Sequence, residues 1–106
     1  MPFIDLATVA EREMAPGFRA RFVHTDRMTL AYWHIRAGAA LPDHAHPHEQ
    51  VTSLITGAFS LTVDGETRTL APGGVAVIPP GVRHSGRAET DCVIIDVFHP
   101  PRDDYR

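Results

Sequence analysis

Short runs rich in Val, Ile, Thr, Phe and Leu recur along the chain. Gly or Pro separates them roughly every eight to twelve residues, the spacing of many short strands in a sandwich or barrel. Nine prolines and eight glycines in 106 residues supply this punctuation. Phe18–His24 and Met28–Arg36 are the first strong runs, and Gln50–Thr56 and Phe59–Val63 follow with a bend at Gly57. Asp64-Gly65 reads as a hairpin turn, because Gly tolerates the positive φ that such turns require. Glu66–Leu70 then returns until Ala71-Pro72-Gly73-Gly74 breaks it. Val75–Ile78 is short and ends at Pro79-Pro80-Gly81, and Cys92–Phe98 is the most apolar run, closed by Pro100-Pro101. Only Leu6–Met14 suggests a short helix. With no internal repeat or linker, the pattern predicts one all-β domain over residues 1–106.

Composition narrows the function classes. Hydrophobic residues make up 43% and charged residues 22% of the chain, the balance of an ordinary globular protein. The net charge is −3, and the ten basic residues are scattered without a run or stripe, so no nucleic-acid partner is expected. No apolar stretch approaches the roughly 20 residues of a membrane span, so no membrane partner is expected either. The opening Met1-Pro2-Phe3-Ile4-Asp5 lacks the basic and apolar regions of a signal peptide. The single cysteine, Cys92, suits a reducing compartment. A cytoplasmic protein is the expectation. The apolar N-terminal segment (Phe3, Ile4, Leu6, Val9) has too little chain to cover itself, and short barrels expose edge strands. A homodimer that buries this segment is expected.

Seven histidines is a high count for this length, and three fall together in His44-Ala45-His46-Pro47-His48-Glu49-Gln50. In an extended segment, alternate residues share a face, so His44, His46, His48 and Gln50 would point the same way. On their own these could be loop histidines beside a proline. A second segment changes the balance: Gly73-x5-Pro79-x-Gly81-x2-His84 delivers another imidazole just past a rigid turn. His44, His46, Gln50 and His84 are therefore the candidate ligands of one divalent transition metal ion, with Mn, Ni, Fe and Zn all suited to imidazole and oxygen donors. Glu49 falls one residue out of phase and would face the opposite way, leaving Gln50 as the oxygen donor. Gln is neutral, so the ion would keep its full charge for Lewis-acid work. His48 lies near the site without a clear ligand role. His34, His24 and His99 read as structural or strand-end residues, and Cys92 as a small core residue.

The tail adds chemistry. Asp96 interrupts the apolar run Cys92–Phe98, and a buried carboxylate is costly without partners. Asp96 and Phe98 share one strand face, and Val93, Ile95 and Val97 take the other. Arg102 emerges just beyond the prolines. Acid, aromatic wall and guanidinium on one rim suit an anionic sugar-like substrate, since Arg pairs a carboxylate bidentately and an acid moves protons. A structural Asp96–Arg102 ion pair closing the barrel end fits the sequence equally well.

Gly38-x5-His44-x-His46-x3-Gln50-x6-Gly57 resembles the first cupin motif, and Gly73 to His84 resembles the second, with Ala88 where Asn is usual. The resemblance implies a jelly-roll barrel with the metal inside. From about Gly17 onward, the Asp96-x-Phe98-x3-Arg102 tail and the histidine cluster are similar to the pectin-degradation family often called KdgF. His99 is a departure, standing where Ser or Thr is more usual. That family converts 4,5-unsaturated monouronates into linear keto sugars by ring opening and tautomerisation. The likeness implies catalytic roles for Asp96, Phe98 and Arg102, and metal-binding roles for His44, His46, Gln50 and His84. It implies a small anionic sugar as substrate. Fold alone does not give function: a cupin dioxygenase, or a non-catalytic metal- or sugar-binding module, would share the same ligand set.

Overall fold

A computed structural model describes residues 2–106, in which ten strands form two antiparallel sheets. The strands are β1 (Arg12–Ala15), β2 (Phe18–His24), β3 (Thr29–Ile35), β4 (Ala40–His44), β5 (Glu49–Thr56), β6 (Phe59–Val63), β7 (Glu66–Leu70), β8 (Val75–Ile78), β9 (His84–Ala88) and β10 (Cys92–His99). One sheet has the order β1-β2-β3-β10-β5-β8 and the other β4-β9-β6-β7. The all-β expectation holds, in an open form: among the described residues no strand pairing joins the two sheets into a closed barrel.

Alternation builds the core between the sheets. On β10 the inward set is Cys92, Ile94, Asp96 and Phe98, while the intervening residues face outward and are half-buried. Phe18, Phe22, Trp33 and Ile35 meet this set from β2 and β3, and Phe59 and Leu61 close on it from the facing sheet. Two turns depend on glycine. Asp64 and Gly65 take φ of 49° and 81°, the paired positive values of a two-residue hairpin. Gly57 has φ of 95°, and a Cβ there would lie 2.2 Å from the Asp91 carbonyl oxygen. Both the dihedral and the close approach of backbone therefore demand glycine.

Three elements depart from the sequence reading. Leu6–Met14 is no helix: a 3-10 turn covers Leu6–Thr8, and Arg12–Ala15 is strand β1. The Pro16-Gly17 turn lays this segment antiparallel to β2, where its backbone bonds in the sheet and Met14 and Ala15 pack against the core. Strand β4 carries Pro42, which reads as a break, but β4 is an edge strand and an edge tolerates a missing donor. Strand β9 is nearly devoid of large apolar residues. Gly86 lies under the Phe59 ring, whose nearest carbon would be 2.3 Å from an added Cβ, so bulk comes from the neighbouring strand instead. Among the described residues no helix is long and apolar enough to cross a membrane.

Candidate active site

The candidate metal ligands come from separate elements rather than from one extended segment. His44 ends β4, His46 sits in the loop of residues 45–48, Gln50 is on β5, and His84 opens β9. Antiparallel pairing sets His44 directly opposite His84, and their ring centroids are 4.2 Å apart. The His46 ring lies 4.9 Å from that of His84. One nitrogen from each of the three rings falls within 4.8 Å of the others.

Hydrogen bonding prepares these rings for a cation. The Nδ1 atoms of His44, His46 and His84 donate to the carbonyls of Pro42, His48 and Val82, at 2.8, 3.1 and 3.0 Å. Each Nδ1 thereby holds the proton, and each Nε2 keeps a free lone pair. The His84 Nε2 is buried without a hydrogen-bond partner among the described residues. His46 Nε2 lies 3.0 Å from Gln50 Oε1, an oxygen held in place because Gln50 Nε2 donates to Thr52 Oγ1 at 3.0 Å. Two lone pairs then face one another, an arrangement that a shared cation relieves. Burial, followed by the nearby Arg102 charge, pushes the His46 imidazole down to about 4, and burial also lowers His84. Neutral imidazoles are the ligating form. The donor set fits one divalent transition metal. Glu49 is exposed while Gln50 is buried, and His48 lies outside the triad, its ring 5.4 Å from His46.

A cavity of about 150 Å³ opens beside the triad, and it is lined by His44, His46, Gln50 and His84 together with Asp96, Phe98 and Arg102. Met14, Phe18, Leu41, Phe59 and Leu61 form its apolar end. Asp96 is 7% exposed and its two oxygens have separate donors. Thr52 Oγ1, on the paired residue of β5, donates to Oδ1 at 2.6 Å, and Trp33 Nε1 donates to Oδ2 at 3.0 Å. Burial outweighs these bonds and raises the Asp96 carboxyl to about 6. Asp96 is thus linked through Thr52 to Gln50.

Asp96 and Arg102 do not form the structural ion pair that the sequence left open. Arg102 pairs instead with Asp104, through Nε to Oδ1 at 3.0 Å and Nη2 to Oδ2 at 2.8 Å. Its guanidinium carbon lies 4.8 Å from the centre of the Phe98 ring and 3.9 Å from that of Tyr105. Trp33, Thr52, Asp104 and Tyr105 escaped the sequence reading. A buried acid must have donors and a buried indole N–H must have an acceptor, a rule that could have matched Asp96 with Trp33. The other histidines lie apart from the cavity. His34 faces outward and bonds Glu11 at 2.9 Å, His24 bonds Thr29 at 2.8 Å, and His99 is exposed. Cys92 is a buried core residue with its thiol on the carbonyls of Ala58 and Thr90.

Comparison with known proteins places this geometry. The cupin domain family model matches residues 31–98, which include all four candidate ligands. The chain is a cupin. Over 97% of its length this cupin is 29% identical to the pectin degradation protein KdgF of Dickeya dadantii, of which it covers 96%. It superposes on the structure of KdgF from a Halomonas species with a TM-score of 0.92 at 30% identity, covering 100% of this chain and 99% of the other. An RmlC-like cupin from Shewanella frigidimarina matches with a TM-score of 0.94 at 26% identity, over 100% of this cupin and 96% of its relative.

Proposed function

We propose that this single-domain cupin opens and tautomerises the ring of 4,5-unsaturated monouronates. In this reading His44, His46, Gln50 and His84 hold one divalent transition metal, and Asp96, Phe98 and Arg102 act on the substrate. The observation that carries it is one cavity lined at once by the histidine triad, a buried acid raised to about 6, and a guanidinium. The similarity to KdgF over nearly the whole chain supports the same reaction.

A bound divalent ion would supply Lewis-acid stabilisation of a substrate oxygen that gains negative charge. The rest falls to the protein. Ring opening breaks the bond between C1 and the ring oxygen as the anomeric hydroxyl loses its proton, leaving an aldehyde at C1 and an enolate at C5. The enolate becomes a ketone when C4 gains a proton. One proton leaves and one arrives, so the reaction is an isomerisation that needs no oxidant. A carboxyl near pKa 6 both accepts and returns a proton close to neutral pH, which is the role assigned to Asp96. Arg102 binds the substrate carboxylate, and Phe98 packs against the sugar carbons. The apolar end of the cavity limits water around the reacting atoms.

The lone buried thiol of Cys92 supports a cytoplasmic location. Exposed Phe3 and Ile4, 87% and 58% accessible, support a homodimer that covers them. The decisive experiment incubates metal-loaded protein with 4,5-unsaturated galacturonate and follows the ring form by NMR. Loss of the ring form and growth of the open keto sugar, well above the protein-free rate, are expected; equal rates would overturn the assignment.

A further inference from the structure

The last residues of the chain fold back over the site, and they are tied down at several points. Thr29, fully buried on β3, accepts the Arg102 backbone N–H at 2.9 Å. The Tyr105 carbonyl accepts from Arg12 Nη1, and the Tyr105 ring packs 4.9 Å from Phe22. Between these anchors lies the Arg102 guanidinium, 7% exposed as a residue. Asp104 grips it along one edge, and the Tyr105 ring lies against it at 3.9 Å.

An Arg side chain has five N–H donors. Asp104 takes two, one on Nε and one on Nη2. Among the described residues no other carboxylate and no carbonyl oxygen accepts from the remaining donors, both on Nη1 and one on Nη2, and the Tyr105 hydroxyl is the one further side-chain partner of the guanidinium. Arg102 and Tyr105 both line the cavity, so an end-on edge of the guanidinium is left for a ligand. A carboxylate fits that edge bidentately while Asp104 keeps the other. Aromatic stacking and a carboxylate fork are the two contacts that hold a guanidinium in one plane.

We infer that Asp104 and Tyr105 are positioning residues that fix the Arg102 plane, making the C-terminal tail the carboxylate-receiving wall of the cavity. This deepens the uronate reading and rests on it for the choice of substrate. Asp104 is a clamp here, not a competitor for the substrate. The two roles have opposite signs: losing a clamp weakens carboxylate binding, whereas losing a competitor strengthens it.

The test uses the full chain loaded with metal. Asp104→Asn, Tyr105→Phe and Tyr105→Leu are compared with the parent for KM and kcat on 4,5-unsaturated galacturonate, and for binding of saturated galacturonate by calorimetry. Asp104→Asn should raise KM and the galacturonate Kd about fivefold or more and change kcat less. Tyr105→Leu should behave like Asp104→Asn, and Tyr105→Phe, which keeps the stacking ring, should retain more of the binding than Tyr105→Leu, with metal content unchanged in all three. Asp104 is half exposed, so its variant keeps the test open if Tyr105→Leu does not fold. Unchanged or tighter binding in Asp104→Asn overturns the inference while leaving a turning-over parent, and the uronate reading, intact. A parent that binds galacturonate without turnover fails the uronate reading alone, and the variants' Kd then still decides the clamp. A parent that neither binds nor turns over overturns both.

Discussion

Replacing Asp96 by Asn separates the charge of this residue from its shape. The carboxyl rises from an ordinary 3.8 to about 6 because it is buried, so the folded chain disfavours the ionised form. Below pH 3.8 both folded and unfolded chains are protonated and the group contributes nothing. As pH rises the unfolded chain ionises first, and above 6 the native state carries the full penalty of about 3 kcal/mol. At pH 4.5 the same relation leaves about 1 kcal/mol. Asn has no such penalty at any pH. It does lose one contact, because Thr52 Oγ1 donates to Asp96 Oδ1 and an amide nitrogen facing it cannot accept. That loss costs about 1 kcal/mol at every pH. The variant should therefore match the parent at pH 4.5 and exceed its stability by about 2 kcal/mol at pH 8, on the order of 10 °C in Tm for a chain of this size. The measurement is denaturant unfolding of both proteins after chelation, so that bound metal does not alter the carboxyl. Reloaded with metal, Asp96→Asn should hold one equivalent and lose most of its turnover. A stability difference of the same size and sign at both pH values would refute the argument, because only a buried ionising group makes the difference move with pH.

Purified protein should contain close to one equivalent of a transition metal per chain, and His46→Ala or His84→Ala should strip most of it; elemental analysis showing full occupancy in both would remove the ligand assignment. Arg102→Ala should raise KM on the uronate and cost well over tenfold in kcat/KM, corresponding to about 2–5 kcal/mol for a desolvated ionic contact; steady-state kinetics at unchanged metal content measures it. Gly57→Ala should cost about 3 kcal/mol or more, from positive φ and the collision with the Asp91 carbonyl, and a thermal melt within a few degrees of the parent would contradict it. Light scattering should give twice 11.7 kDa at micromolar concentration, and a monomeric mass would exclude the dimer.

Strands set off by Gly, Pro and Asp turn residues were legible because that punctuation is local. β2, β6, β7 and β8 begin and end where the sequence pattern places them. β4 and β9 were not, since Pro42 is tolerated only by virtue of an edge position and Gly86 only because Phe59 fills its space, and both facts belong to the assembled sheet. The candidate metal donors were legible as residue types at a metal-ligand spacing, although the path between them was not. His46 reaches the site from a loop, which period-two alternation cannot express. The supports of Asp96 depended on register. Thr52 lies 44 positions away and Trp33 lies 63, and nothing local in the sequence pairs them with an acid on β10. Asp104 showed no signal at all, because a carboxylate two residues from an arginine on an exposed tail is commonplace.

The candidate ligand set straddles the seam between the two sheets. His44 and His84 belong to the four-stranded sheet, Gln50 to the six-stranded one, and His46 to the loop that passes from one to the other. Among the described residues no backbone ladder crosses that seam. An ion gripped from both sides is a rivet, and the unfolded chain offers no such grip. Occupancy should therefore raise the unfolding free energy in step with affinity, by about 2.7 kcal/mol when free metal stands at a hundred times its Kd, and the melting temperature with it. A thermal-shift titration across Mn, Fe, Co, Ni, Cu and Zn then ranks the ions by how well they fit the site, with no substrate required.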